Sequence, residues 1–305
     1  EKGMKKKTSA LFKKTPGDHV FNVINITIFV LFSLCCVFPF YYLFINTISD
    51  NDLVMRGQIL FYPKGIQFQN YRLIAYVNDF FSSVLVTVTR TIFGTALMVV
   101  VSSFAGYLVT KQKMWKRKFW YRFIIITMSL NSGLSPWYTN LLTLGLTNNY
   151  LAYILHNLVL TFNIILVKTY IESIPADIEE SAALDGAGTL TVFVRIIWPL
   201  SVPILATIAI FGAVSNWNSF QDSLLLMQSS PQLHTLQHKL YVYLTQTTNL
   251  DSMMNTGLTG GMNSSLSPRV VQYTIAMVSI IPILCVYPIM QRYFVSGIML
   301  GAVKG

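Results

Sequence analysis

Five of the chain's twelve acids, Glu172, Asp177, Glu179, Glu180 and Asp185, fall within fourteen residues. In a sequence that is 53% hydrophobic and 11% charged, a group that dense must serve a partner or a solvent face. Other residues suited to chemistry are sparse. The four histidines, His19, His156, His234 and His238, form no H-E-x-x-H pair, and no Gly-x-Ser-x-Gly or Ser/Lys nucleophile arrangement lies within an apolar run. Cys35, Cys36 and Cys285 have neither metal-ligand spacing nor the pattern of a disulfide framework. His156 reads as a hydrogen-bonded packing residue. The pattern therefore argues against an enzyme and against a metal site.

The elements that must position these residues are hydrophobic. Mean hydropathy is +0.53, beyond what a soluble domain usually carries. Apolar runs at 20–47, 80–109, 119–143, 149–171, 200–221 and 271–295 are each long enough for a helix to cross a hydrocarbon core of about 30 Å. An all-α integral membrane protein with six transmembrane helices follows. The third run is interrupted by Asn131, Ser132, Gly133, Ser135 and Pro136, a break that lipid tolerates only where protein or a water-filled cavity satisfies the backbone. The first run is expected to be a retained anchor rather than a cleaved signal.

Basic residues set the orientation. Most of the 22 lysines and arginines flank the spans on one side, which places both termini in the cytoplasm. The expected organisation is a cytoplasmic segment 1–19, one permease-like domain over 20–295, and a cytoplasmic tail 296–305. The net charge of +10 then reflects topology and anionic lipid rather than nucleic acid.

A carrier driven by protons or sodium needs carboxylates within the bilayer. Asp50, Asp52, Asp79 and Asp222 are expected at span ends or in loops, and no G-x-x-x-x-G-K-[ST] phosphate loop is present. Energy for uphill movement would come from another subunit. The acidic group lies in the cytoplasmic loop 172–199. Pro175 followed by acids predicts a helix over about 175–185, Gly186 and Gly188 permit a turn, and Val192–Trp198 leads to Pro199 and the fifth span. Interfacial helices favour lysine and arginine toward lipid. An acidic one points to a protein partner with a basic groove.

Glu180-Ser181-Ala182, three residues, Gly186, nine residues and Ile196-Ile197-Trp198-Pro199 resemble the E-A-A, three, G, nine, I-x-L-P loop of type I ATP-binding-cassette importer permeases. Serine at 181 replaces an alanine and Trp198 a leucine. The ending Gly297–Gly305 is similar to the carbohydrate class, including the smaller maltose permease and permeases for aldouronate and other complex oligosaccharides. The resemblance implies the type I importer permease fold, with 172–199 carrying a coupling helix seated in an ATPase cleft. Glu179, Glu180, Ala182, Asp185, Gly186 and Pro199 would be its coupling residues. It also implies a second homologous permease forming a heterodimer, two cytoplasmic ATPase subunits, an extracytoplasmic solute-binding protein and an oligosaccharide substrate. No cofactor is expected on this chain, since ATP and Mg would be used by the partner ATPase. The location implied is a bacterial cytoplasmic membrane.

Sugar paths combine aromatic faces with amides and hydroxyls. Asn216, Trp217, Asn218, Phe220 and Gln221 of the fifth span are candidates, with Asn131, Trp137 and Tyr138 of the third and Asn163 of the fourth. The same amides could instead join helices, and both tryptophans could be interface anchors. Arg90, ten residues into the second span, is expected to contact the partner permease rather than an acidic sugar. Residues 223–270 are expected to form a long outer loop, flexible over 245–268, which the resemblance suggests touches the binding protein. Competing readings are a permease for another small polar solute, a structural membrane protein and a secondary carrier.

Overall fold

The architecture is that of a computed structural model, which describes residues 16–75, 79–130, 132–254 and 268–302. It is all-helical, with no strand among the described residues. Among the described residues three helices are long and apolar enough to cross a membrane: α1, Pro16–Thr47, α4, Phe80–Thr110, and the 269–288 part of α14, Pro268–Ala302. Between α1 and α4 lie the short α2, Asn51–Met55, and α3, Gln69–Ile74. Asp50 caps α2 by accepting from the amides of Asp52 and Leu53 at 3.0 and 3.3 Å.

The remaining expected spans are not single helices. The run 119–143 is divided into α5, Arg117–Ser129, and α6, Leu134–Thr143. The run 149–171 is divided into α7, Leu151–Leu155, and α8, Thr161–Ile171. The fifth contains α11, Val202–Asn218, which meets the preceding α10, Thr189–Leu200, at a bend of 81°. Ahead of α10 stands α9, Ala176–Leu184, close to the helix expected over 175–185.

The outer segment differs from expectation. Residues 223–270 are not one long loop: α12, Gln221–Leu226, a single 3₁₀ turn at Pro231–Leu233 and α13, Leu236–Met254, occupy most of the described part. Residues 255–267 lie outside the described residues. Composition suggested flexibility over 245–268, but 245–254 continue the helix that begins at Leu236.

At 1.5 Å per residue α4 is about 46 Å long, and it forms the spine. It packs along α11 and α8, while α14 packs on α1, α11 and α13. Lacking water to drive association, helices in lipid depend on close backbone approach and interhelical hydrogen bonds. Gly106 supplies the first: a β-carbon there would stand 3.0 Å from the Ile164 carbonyl oxygen and 3.0 Å from Val167 Cγ1. The second comes from Asn163 Nδ2, which reaches Met98 Sδ at 3.1 Å. Several hydroxyls on α4 bond back into their own helix, as in Thr87 Oγ1 to the Ser83 carbonyl at 2.7 Å and Ser103 Oγ to the Val100 carbonyl at 2.9 Å, which lowers the cost of burying them. Met98, Tyr107, Val167, Ile171, Phe193, Ile197 and Ile208 close one core around these contacts. By contrast α1 buries none of its apolar window against the rest of the chain.

Gly106→Val should push α8 off α4 and destabilise the fold by about 1–3 kcal/mol through overpacking, read as a lower melting temperature in detergent. Gly188→Ala, where an added β-carbon meets nothing within 4 Å, should leave it unchanged.

Candidate functional site

Two features concentrate the polar chemistry at opposite ends of α4. The first is the elbow of α9 and α10. Pro175, with φ −56° and ψ 130°, sets the chain entering α9, and acids in the first turn suit the positive helix end. Gly186 turns the chain at φ +81°, a left-handed conformation that side chains resist. α10 then contains a π-helical stretch at Phe193–Ile197. Its buried face, Val192, Phe193 and Ile197, joins the core with Tyr107 and Ile171, and Phe193 meets Phe104 edge to face at 5.2 Å.

Polar contacts tie the elbow to the end of α4. Lys111 Nζ pairs with Glu179 Oε2 and lies 4.0 Å from the Tyr107 ring centroid, while Tyr107 donates to the Thr189 carbonyl at 3.4 Å. Glu172 takes Lys168 at 2.8 Å and Arg117 at 3.4 Å. The six residues expected to couple therefore divide. Ala182 is buried and anchors the helix, Glu179 is held by Lys111, and Gly186 makes the turn. Glu180, Asp185 and Pro199 are exposed, and beside them Leu184 is 89% exposed and Leu190 63%. The sequence places Leu184 with Ala182 and Ala183 among the helix's apolar positions, but the fold leaves it bare at the tip instead of burying it beside Ala182.

The second feature is a cavity of about 430 Å³ lined by Ser132, Gly133, Leu134, Trp137, His156, Ser219, Gln221 and Asp222. These residues come from the break between α5 and α6 and the start of α6, from the turn after α7, and from the break between α11 and α12 and the start of α12. Non-helical backbone at membrane depth is tolerated where it lines such a space. Gln221 and Trp137 are brought together there. Asn131 lies outside the described residues.

Behind the cavity wall is a charge pair. Arg90 is 0% exposed and Asp222 2%; Nη2 meets Oδ2 at 2.8 Å and Nη1 meets Oδ1 at 3.3 Å. Ser219 Oγ and the Ser223 amide each donate to Asp222 Oδ1 at 2.9 Å. The guanidinium stands 4.5 Å from the Tyr153 ring centroid, and Tyr153 donates to the Leu233 carbonyl at 2.7 Å. His156 bonds through Nδ1 to the Ala152 carbonyl at 2.6 Å and brings Nε2 to 3.7 Å from Asp222 Oδ2. Two expectations are corrected here. Asp222 lies at the end of the fifth span, as expected, but is buried there rather than solvated, and Arg90 finds its partner within its own chain rather than on another permease. The signal was available in the pattern: a buried arginine requires a carboxylate, and Asp222 sits at the break of the fifth span.

The other expected path residues do not share the cavity. Asn216 is an interhelical joint, accepting from Asn157 Nδ2 at 3.3 Å and donating to Thr95 Oγ1 at 3.3 Å. Asn163 serves Met98, and Asn218 bonds the Val214 carbonyl of its own helix at 3.0 Å. Phe220 stacks on Tyr241 with centroids 4.7 Å apart, and Tyr138 packs against the Leu141, Tyr153 and Leu226 cluster. Trp217 donates to the Ser279 carbonyl at 3.0 Å and lines a separate, apolar groove of about 180 Å³ with Ile92, Val214, Pro282 and Tyr287.

Ser223, next to the charge pair, connects it to the outer helix. Its hydroxyl meets His238 Nδ1 and the Thr235 amide at 2.9 and 3.2 Å. Burial first, then the neighbouring His234 and Lys239, lower the His238 pKa from 6.5 to about 4.

Residues 98–300 match the family described as the binding-protein-dependent transport system inner membrane component. The chain is 30% identical over 289 residues, 94% of its length and 99% of the other, to the polygalacturonan/rhamnogalacturonan transport system permease YtcP of Bacillus subtilis strain 168. It is 24% identical over 304 residues, 97% and 100% of the two lengths, to the arabinooligosaccharides transport system permease AraQ of the same organism. Its fold superposes with a TM-score of 0.81, at 29% identity and 92% and 99% coverage, on a chain from the crystal structure of a bacterial ABC transporter involved in import of the acidic polysaccharide alginate.

Arg90→Met should strand Asp222 in the interior and destabilise the protein by about 3–5 kcal/mol, whereas Arg90→Met with Asp222→Leu should recover much of that loss. Thermal unfolding of both in detergent distinguishes them. A second expectation concerns acid. Because the folded imidazole of His238 titrates below the unfolded one, its contribution is complete above pH 6.5 and is lost as pH falls toward about 4. The melting temperature should drop across that window, and His238→Gln should flatten the slope.

Proposed function

This chain belongs to the family of binding-protein-dependent transport system inner membrane components, and on that premise we propose that it forms, with a second and distinct permease, the translocation path of an ATP-driven oligosaccharide importer. The relatives named for polygalacturonan, rhamnogalacturonan and arabinooligosaccharide transport support a carbohydrate cargo. The observation that carries the reading is one helix, α4, bonded at one end to the elbow through Lys111–Glu179 and at the other to the polar cavity through Arg90–Asp222.

In this reading α9 is the coupling helix. Leu184 and Glu180 enter a cleft of a cytoplasmic ATPase, the apolar side chain for burial and the carboxylate for a basic partner. Ala182, Val192 and Phe193 carry the elbow's displacement into α4 because they belong to the same packed core. Two ATPase subunits use ATP and Mg, and this chain binds neither. A solute-binding protein delivers the sugar on the side of α12 and α13, both termini face the cytoplasm, and all six apolar runs cross the membrane, three as broken spans. The coupling loop transmits only the free energy by which it distinguishes the inward-open and outward-open states.

A secondary carrier would need a carboxylate able to bind and release a cation. Asp222 does not suit that role, since Arg90 already neutralises it through two hydrogen bonds.

Leu184→Asp and Glu180→Lys, both at exposed positions, should leave the melting temperature unchanged while the ATPase no longer co-purifies. Retention of the ATPase by both variants would reject the coupling role of α9. In reconstituted vesicles Trp217→Ala should depress transport and ATP hydrolysis together, because truncating a packed tryptophan typically costs about 3–5 kcal/mol. Trp137→Ala should depress transport more than hydrolysis. The reverse ranking would move the sugar path away from the polar cavity.

A further inference from the structure

The relatives include proteins named for acidic polymers, yet the cavity of this chain is built against acidity. None of its eight lining residues is a lysine or arginine. Arg90 stands directly behind the wall, but it is 0% exposed, two of its donors are engaged by Asp222 and its plane is covered by Tyr153. It presents no cation to a ligand. His156 is similarly committed, to the Ala152 carbonyl at one nitrogen and toward Asp222 at the other.

The groups that face the space are an amide, hydroxyls and an indole, while Asp222, 2% exposed, is spent on Arg90. A ligand carboxylate placed there would give up water without gaining a counterion, and a charge left unpaired is costly. A sugar hydroxyl meets the opposite situation, because it carries no charge and donates to acceptors such as Gln221 and Ser219. Trp137 adds an apolar face for ring C–H groups. A space of about 430 Å³ lies within the range of small-molecule sites, about 300–1,000 Å³.

We infer that this cavity is a subsite for an uncharged sugar ring, held through its hydroxyls by Gln221 and Ser219 and by the face of Trp137, and that it discriminates against a uronate at the same position. The inference rests on the importer reading above and adds what this subunit selects. A mixed polymer of neutral and acidic residues would place a neutral residue here and its carboxylates elsewhere along the path.

The test uses the assembled importer, purified with its partner permease and ATPase but without the binding protein, so that ligand reaches the cavity directly. Equilibrium binding is measured for two neutral disaccharides, galactobiose and cellobiose, and for digalacturonate. At least one neutral sugar should bind at least tenfold more tightly than digalacturonate. Trp137→Ala and Gln221→Ala should each weaken that binding at least fivefold. Gln221→Arg, at an exposed position, should narrow or reverse the preference by bringing a cation to the wall while keeping its melting temperature. Digalacturonate binding as tightly as the neutral sugars, no binding by any of the three, or wild-type affinities in both alanine variants would overturn the inference. Failure of the ATPase to co-purify would count instead against the importer reading, and the same ligand measurements on the permease pair alone would still decide the preference.

Discussion

The pair of Arg90 and Asp222 is the constraint on which the outer half of this protein depends. Two charges removed from water are tolerable only when each is paired and the remaining hydrogen-bonding capacity is used. Asp222 meets this condition through Arg90, Ser219 and the Ser223 amide, and Arg90 is covered by Tyr153. Each of these partners comes from α4, from the segment around α7, or from the chain between α11 and α12. Satisfying one carboxylate therefore holds three elements in one arrangement.

At the other end of α4 the contacts differ in kind. The elbow is held mainly by packing, with Ala182, Val192, Phe193 and Ile197 buried in the core that also contains Tyr107 and Val167, and its ion pair with Lys111 is about a quarter exposed. A single partly solvated pair contributes modestly, so the apolar face bears most of the load and the outer face remains available. That division explains why the acidic group of the sequence separates in space, with Glu172 and Glu179 turned to bases of their own chain and Glu180 and Asp185 turned outward.

The residues expected to line a sugar path were legible only as types. Amides and aromatics around Trp137 and Trp217 stand out because polar groups in apolar runs are rare, but the same scarcity applies to interhelical joints. Asn216 and Asn163 prove to be joints, since their amides find Thr95 and Met98 on α4 and Asn157 in the turn after α7. Trp217 faces apolar neighbours instead of amides. Gln221 and Trp137, far apart in the chain, line one cavity because their spans break at the same place. Nothing in linear spacing distinguishes these cases.

What the sequence determined by itself is what local pattern and composition can specify. Unbroken apolar runs dictate α1, α4 and most of α14, because the backbone in lipid has no other way to satisfy itself. Proline followed by acids and then Gly186 dictates α9 and its turn, and the spacing from Glu180 to Pro199 identifies the family. Tertiary structure decided what depends on long-range pairing: that Arg90 meets Asp222, that the outer segment folds into α12 and α13, and that three helix breaks meet around one space. Such contacts join residues more than a hundred positions apart, as Arg90 and Asp222 are, and each partner is tolerable out of solvent only once the other has met it. No property of either residue's neighbours along the chain records that event.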